Sequence, residues 1–307
     1  MQRLALLWLL VPAVGLVELG AQFWVSTRAP GVSQWRGLAK SVAPLKRPGE
    51  PVVVAPEWAE PLARLAFGDD AFPLAELARA DDRSVPRVLE VAEGGARADR
   101  YRPWPVLSEE RHGGFTLRVL RNPEYRAARY RFVEHVKPGE LTVAVVAGGV
   151  ERPCEYTDHA RVTAGGLHGP VAFPSERFQC AGGDAMFVGA TVIDDQDYAP
   201  RRCIWAHPPQ NGVLRLRFSA VPLGAALHGF AGLSYFIYRD GVGTPVRLEA
   251  ASSGRQLGAS VHRDEAGWSG FDFSTTALAG QTADVEFSLS SADATRRDFC
   301  FSVEALE

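Results

Sequence analysis

The chain has 307 residues, enough for two domains or for one large domain with an appendage. Its 46% hydrophobic and 22% charged residues are those of a globular protein, which excludes wholesale disorder, a collagen-like repeat and a coiled coil. Lys and Arg number 33 against 36 Asp and Glu, a net charge of −3, so no basic field draws in a phosphate backbone and no nucleic acid partner is expected.

The first element is apolar. After Met1-Gln2-Arg3, residues 4–17 carry no charge; Glu18 interrupts, and the apolar run resumes over 19–25. As a helix, residues 4–25 rise about 1.5 Å each, roughly the 30 Å of a bilayer core, with Glu18, Gln22 and Trp24 near one interface. The same stretch has the basic start, apolar centre and small residue (Ala21) of a cleaved export signal. Residues 1–25 are therefore read as a membrane anchor or a signal peptide; a buried core helix is the remaining reading. Arg28, Arg36 and Lys40 follow the segment whereas Arg3 precedes it, so a plain count of positive charges leans toward a cytoplasmic body. The cysteines lean the other way. Cys154, Cys180, Cys203 and Cys300 form no Cys-x-x-Cys pair, and an even number in an exported chain suggests disulfides. Of the three connectivities we expect Cys154 with Cys180, closing a local loop, and Cys203 with Cys300, tying an early strand of the last domain to its closing strand; four free thiols are the alternative. The expected location is the bacterial inner membrane with the body in the periplasm, or export if the leader is cleaved.

Residues 32–121 read as a small α/β domain. Ser33 is a plausible N-cap for a turn carrying Trp35, Leu38, Val42 and Leu45, and Pro48-Gly49 ends it. Residues 51–55 form a short Val run, the mark of a strand buried on both faces. A second helix carries Leu62, Leu65 and Ala66 and stops at Gly68; a brief third follows Leu74, and residues 86–91 read as a second buried strand. Residues 106–120, with Gly113-Gly114 between alternating segments, read as a β-hairpin.

Residues 132–307 read as an antiparallel β-sandwich, giving an α+β chain overall. Residues 141–146, 185–193, 213–218, 233–239, 246–251, 270–274, 285–289 and 298–303 are short extended runs separated by Gly, Pro, Asp or Asn turns. Leu214, Leu216 and Phe218 alternate with Arg215 and Arg217, and Val285, Phe287 and Leu289 with Glu286 and Ser288, so one face is dry and the other wet.

The segments Leu214-Arg215-Leu216-Arg217-Phe218, Val221-Pro222-Leu223-Gly224, Gly267-Trp268 and Cys300-Phe301, with residues 245–249 and 268–273 between them, resemble galactose-binding-like jelly rolls over residues 211–305. That resemblance implies a β-sandwich of the kind used by carbohydrate-binding modules, and a glycan or an envelope protein as partner. Gln34-Trp35-Arg36, the run Pro48-Gly49-Glu50-Pro51-Val52-Val53-Val54-Ala55-Pro56, Gly113-Gly114-Phe115 and Asn122-Pro123 look like the extracytoplasmic tail of dolichyl-phosphate-mannose-type membrane glycosyltransferases. Those enzymes need many membrane helices and an acidic catalytic loop, and this chain has one apolar segment. The implication is an accessory or degenerate component of such a system, without the transferase activity.

No Gly-x-Ser-x-Gly elbow, Gly-x-x-x-x-Gly-Lys loop or His-Glu-x-x-His helix is present. Asp194, Asp195 and Asp197 follow a strand and offer the hard oxygens calcium prefers, although no EF-hand spacing surrounds them. They are read as an acidic turn offset by Arg201 and Arg202, as a structural Ca2+ site, or as the carboxylates of a glycan-active hydrolase. No other cofactor is expected. His159 beside Asp158 and His262 near Asp264 are acid–base pairs only if a nucleophile approaches. A sugar presents an apolar face to an aromatic ring and hydroxyls to polar groups, so Trp205 with Asn211, and Trp268 with His262 and Asp264, are candidate glycan contacts. Tyr235 and Tyr238 with Arg239 and Asp240 form a further set, with strand packing as the plainer role. The expectation is a membrane-anchored envelope protein without catalytic activity, with a glycosyltransferase accessory and a hydrolase as alternatives.

Overall fold

The computed structural model describes residues 2–26, 30–162, 173–235 and 241–307. Helix α1 (Gln2–Ser26) is continuous over 25 residues, with Pro12 inside it. Its side chains are described for residues 11–24, and among the described residues no helix is long and apolar enough to cross a membrane.

The chain divides into two compact units: Met1–Pro73 with Arg87–Arg121, and Leu74–Pro86 with Asn122–Glu307. The sequence pattern assigned residues 74–86 to the α/β body, whereas they cluster with the strands that follow. In the first unit α2 (Val32–Val42) buries Trp35, Leu38 and Val42, the i, i+3, i+7 spacing that puts them on one helix face. Its N-cap is Gly31 rather than Ser33, and the Gly31 N–H donates to the Gln34 side-chain oxygen at 2.9 Å. The sheet comprises β1 (Val52–Ala55), β2 (Arg87–Glu93), β3 (Val106–His112) and β4 (Phe115–Arg121), in the order β1-β2-β4-β3. β1 and β2 pair in parallel and the rest antiparallel, which requires the crossover that α3 (Glu60–Phe67) helps to supply. Trp35 lies 4.6 Å from the Phe115 ring and 5.8 Å from Phe67, so α2 and α3 share one layer on this sheet. On the opposite face Glu90, fully buried, accepts from the Ala98 N–H at 2.8 Å and pairs with Arg118 at 2.9 Å and Arg97 at 3.1 Å. A buried carboxylate is tolerable there because every partner is supplied.

The second unit begins with the short helix α4 (Leu74–Leu77) and continues as a β-sandwich. Its strands are β5 (Ala128–Arg131), β6 (Leu141–Ala147), β7 (Val150–Pro153), β8 (Glu155–Thr157), β9 (Arg177–Gln179), β10 (Phe187–Asp194), β11 (Pro200–Ala206), β12 (Val213–Pro222), β13 (Ala226–Leu233), β14 (Val246–Ser252), β15 (Arg255–His262), β16 (Ser269–Ser274), β17 (Thr282–Ser290) and β18 (Phe299–Leu306). One sheet runs β16-β13-β18-β11-β10-β9-β8, with β5 also on β18; the other runs β15-β14-β17-β12-β6-β7. From β12 onward the chain changes sheet at almost every turn. Leu214, Leu216, Phe218, Val285, Phe287 and Leu289 meet Leu227, Ala231, Phe299, Phe301 and Val303 in the central core. Each large side chain so buried contributes roughly 1.5–3 kcal/mol.

A second apolar cluster lies on the other side of the larger sheet: Phe187, Ile193, Cys203, Trp205 and Cys300, with Trp268 packed against it. The cysteines pair as expected, Cys154 with Cys180 and Cys203 with Cys300. Their sequence separations of 26 and 97 residues correspond to about 3.5 and 4.7 kcal/mol of unfolded-chain entropy in the loop-closure model. β13 escapes sequence pattern because it carries Gly229 and Gly232, which read as turn residues. Both are there for space: a Cβ on Gly229 would run into the Phe271 ring, and one on Gly232 would lie 2.6 Å from Trp268 Cε3. The strand expected over 233–239 runs into residues 236–240, which lie outside the described residues, and Tyr238, Arg239 and Asp240 with them.

Candidate functional site

At one end of the sandwich the β10–β11 loop, the residue pair after β13 and the turn between β15 and β16 come together. The first of these is organised by Asp195, which is 2% exposed. Its Oδ1 accepts the N–H groups of Asp197 and Ala199 at 2.9 and 3.0 Å, and its Oδ2 accepts Arg201 Nε at 2.7 Å. The carboxylate is thus consumed in closing its own turn and in an ion pair. Asp194 is half-buried and Asp197 exposed, and among the described residues no three His, Cys, Asp or Glu side chains converge as a metal site. The turn sets Tyr198 at φ +59°, with its ring 4.6 Å from that of Tyr235 and tilted by 53°. Tyr198 is 43% exposed. The Gln196 side-chain N–H donates to the Asp264 carbonyl, fastening this loop to the β15–β16 turn.

Asp264 is held from beneath by Arg297, whose side chain is fully buried. Arg297 Nη1 donates to Asp264 Oδ1, Nη2 to the Val242 carbonyl, and Nε to the Thr295 carbonyl at 3.4 Å. Gly243, at φ +84°, leaves the room: a Cβ there would lie 2.6 Å from Arg297 Nε. The Asp264 side chain keeps 26% of its surface in solvent. His262, 3% exposed, lies 3.2 Å through Nδ1 from the Ser269 hydroxyl, which in turn donates to the Ala231 carbonyl at 3.5 Å. Nδ1 is thus engaged with the hydroxyl, and Nε2 is the ring nitrogen left over. Burial pushes the imidazole down to about 4, so the ring is neutral at neutral pH. His262 Nε2 and Trp268 Nε1 are both buried without a hydrogen-bond partner.

Of the five expected glycan contacts, His262, Asp264 and Trp268 belong to this one turn. Trp205 does not: it is fully buried, stacks on Phe187 at 5.5 Å and donates its indole N–H to the Ala185 carbonyl at 3.1 Å. Asn211 is exposed in the β11–β12 turn at φ +58°. His159 pairs with Asp158 at 3.1 Å on the surface, with 90% of its side chain exposed. Tyr198 and Arg297 were not read from sequence; the first follows an acidic run, the second hides in an ordinary polar stretch.

A second titratable cluster lies elsewhere in the same unit. His228 on β13, 4% exposed, is gripped from both ring nitrogens: Nδ1 is 2.7 Å from Asp272 Oδ1, and Nε2 is 2.8 Å from Asp81 Oδ2. Arg83 Nη1 stands 3.3 Å from Asp272 Oδ1. Burial works to lower the His228 pKa, but the hydrogen bonds and charges of Asp81 and Asp272 carry it above its ordinary value. Asp81 is held below its own despite burial, by the hydrogen bond and charge of His228. Because Asp81 lies in the 74–86 segment, this cluster clasps that segment to the sandwich. The Arg202 N–H, which donates to the Ala78 carbonyl at 2.7 Å, is a second attachment.

No protein-family model matches the chain, and no curated protein is similar to it in sequence. Among solved structures it is similar to the carbohydrate-binding module CBM51 of Clostridium perfringens GH95, in complex with methyl-galactose, at 10% identity and a TM-score of 0.28, over 38% of this chain and 79% of that one. It is also similar to the CBM51-2 and INT domains of Clostridium perfringens ZmpB, at 10% identity and a TM-score of 0.30, over 59% of this chain and 40% of that one. A carbohydrate-binding module of the β-sandwich superfamily matches at 7% identity and a TM-score of 0.29, over 63% and 66%. At such scores the reading of the site rests on its own geometry.

Proposed function

We propose that this chain is a membrane-anchored, extracytoplasmic protein that binds glycan, without turning it over, at the loop end of its β-sandwich. The observation that supports this most is the exposed Tyr198 ring, packed on the half-buried Tyr235 ring and carried by a loop that Gln196 fastens to the backbone carbonyl of Asp264. Aromatic rings accept the C–H face of a pyranose, and a rigidly held carboxylate accepts its hydroxyls. The unpartnered His262 Nε2 and Trp268 Nε1 fit the same class of ligand, because a hydroxyl both donates and accepts. Binding rather than catalysis is favoured because Asp264 Oδ1 is committed to Arg297, and an imidazole held down to about 4 is a weak base near neutral pH. The anchor is α1, and the paired cysteines support an oxidising compartment.

The test is titration calorimetry of the full chain in detergent with methyl-galactoside, N-acetylglucosamine and neutral oligosaccharides. We expect saturable binding that Tyr198→Ala weakens by about tenfold, the loss of one aromatic contact. No binding to any neutral sugar by the correctly folded chain would overturn the glycan reading.

A further inference from the structure

Between Glu18 and Glu50 the sequence contains no acid, while Arg28, Arg36, Lys40, Lys46 and Arg47 all fall there, among them two of the three lysines in the chain. α2 occupies the middle of this stretch. Its buried side is Trp35, Leu38 and Val42, and Arg36 and Lys40 face solvent, as does Arg47 beyond it. α3, in the same layer, buries Ala63 and the preceding Ala59 toward the protein. The outward side of α3 and of the 3-10 turn before it (Glu57–Ala59) is the wrong way round for water: Trp58 in the turn is 65% and Leu65 62% exposed, Pro61 is exposed, and Leu62 is half-buried. Positions 58, 61, 62 and 65 form an apolar stripe at helical spacing, where a globular protein in water places polar side chains.

The chain itself brings this layer close to α1. α1 ends at Ser26 and α2 begins at Val32, so six Cα steps of 3.8 Å bound their separation to about 23 Å. An apolar stripe carrying Trp, set beside an acid-free basic stretch next to an anchor, matches the chemistry of an anionic bilayer surface.

We propose that the α2–α3 layer lies on an anionic phospholipid surface, with Arg36, Lys40 and Arg47 paired to lipid phosphates and Trp58 and Leu65 entering the headgroup region. The proposal rests on the reading of α1 as a membrane anchor. α1 holds the chain at the bilayer, and the layer fixes the face that the first unit turns toward it. Each cation contributes about fivefold to the docked population, an effect that salt screens.

Amide hydrogen exchange on the full chain in lipid nanodiscs tests this. Discs of phosphatidylcholine alone are compared with discs that also contain phosphatidylglycerol, and with detergent micelles. Residues 32–47 and 57–67 are expected to exchange more slowly on the anionic discs. That protection should be lost in high salt and in the Arg36→Glu/Lys40→Glu chain, and reduced in Trp58→Ser/Leu65→Ser, with exchange in the sandwich unchanged as the control for folding. A chain that does not enter the discs overturns the anchor reading and this proposal with it. A chain that enters but exchanges equally on both kinds of disc overturns the docking alone. Protection in micelles that grows with protein concentration would assign the stripe to a second copy and overturn the proposal too.

Discussion

His228 and His262 are buried to nearly the same degree in one sandwich, 4% and 3% exposed, yet their ring pKa values move in opposite directions. His228 has a carboxylate on each nitrogen, so desolvation is outweighed and the charged form of the ring is favoured, raising its pKa. His262 has a hydroxyl on one nitrogen and nothing on the other, so desolvation prevails and the ring stays neutral. Burial alone therefore fixes neither the charge of a histidine nor its use: one clamps a segment, the other leaves an unpaired ring nitrogen beside a loop. The contrast extends to the charges beside them, since Asp272 is paired at the surface whereas Arg297, next to His262, is fully enclosed.

The largest change should come from opening the enclosed pair. Asp264→Asn leaves Arg297 buried without its carboxylate; breaking such a pair costs about 3–5 kcal/mol, and with Asp264 partly in water we expect the lower end. Urea unfolding should show that loss, and Arg297→Met added to it should restore most of the stability. Next comes acid. The unfolded His262 takes up a proton near pH 6.5 and the folded one only near 4, so stability should fall by roughly 3 kcal/mol as pH drops through that window. Unfolding midpoints at several pH values check this, and His262→Phe should flatten the slope. His228 should behave in the reverse sense. Its folded pKa is raised, so its contribution is complete below about 6.5 and fades as pH rises through the folded value. The lowered pKa of Asp81 adds stability that is present above its unfolded value and lost in strong acid. Because 53% of the Asp272 side chain is in solvent, His228→Phe should cost only about 1–2 kcal/mol at pH 6, and less at pH 9. The smallest difference separates the two tryptophans near the disulfide: Trp205→Phe forfeits a hydrogen bond to the Ala185 carbonyl, about 1 kcal/mol, and Trp268→Phe forfeits none. Parallel melting curves of the two variants measure that gap.

Much of the architecture was legible because it rests on period and spacing. The alternation in 213–218 and 285–289 predicted β12 and β17, and the Val run at 51–55 predicted β1. Both disulfides match the pairing expected out of three possible connectivities. What was hidden depends on contacts between distant residues. Trp205, a candidate glycan contact near His207 and Asn211 in sequence, is covered by Phe187 and the Cys203–Cys300 bridge. Of the readings open to Asp195, the acidic turn offset by Arg201 is the one its bonds to local amides and to Arg201 fit. Arg297 is indistinguishable from Arg296 in a polar stretch, and only the fold encloses it. The partnership of Asp81 with His228 spans 147 positions, and no local pattern reports it.

The 74–86 excursion makes the chain pass between its two units three times, at residues 73–74, 86–87 and 121–122. A piece starting at Asn122 would therefore not be a free-standing sandwich: it would leave behind the carboxylate of Asp81 and the carbonyl of Ala78, stripping partners from His228 and Arg202. The covalent thread makes the units hard to cut apart: a protease nick at 73–74 or 86–87 would separate β1 from β2, and one at 121–122 would leave the 74–86 strap on the fragment that lacks the sandwich.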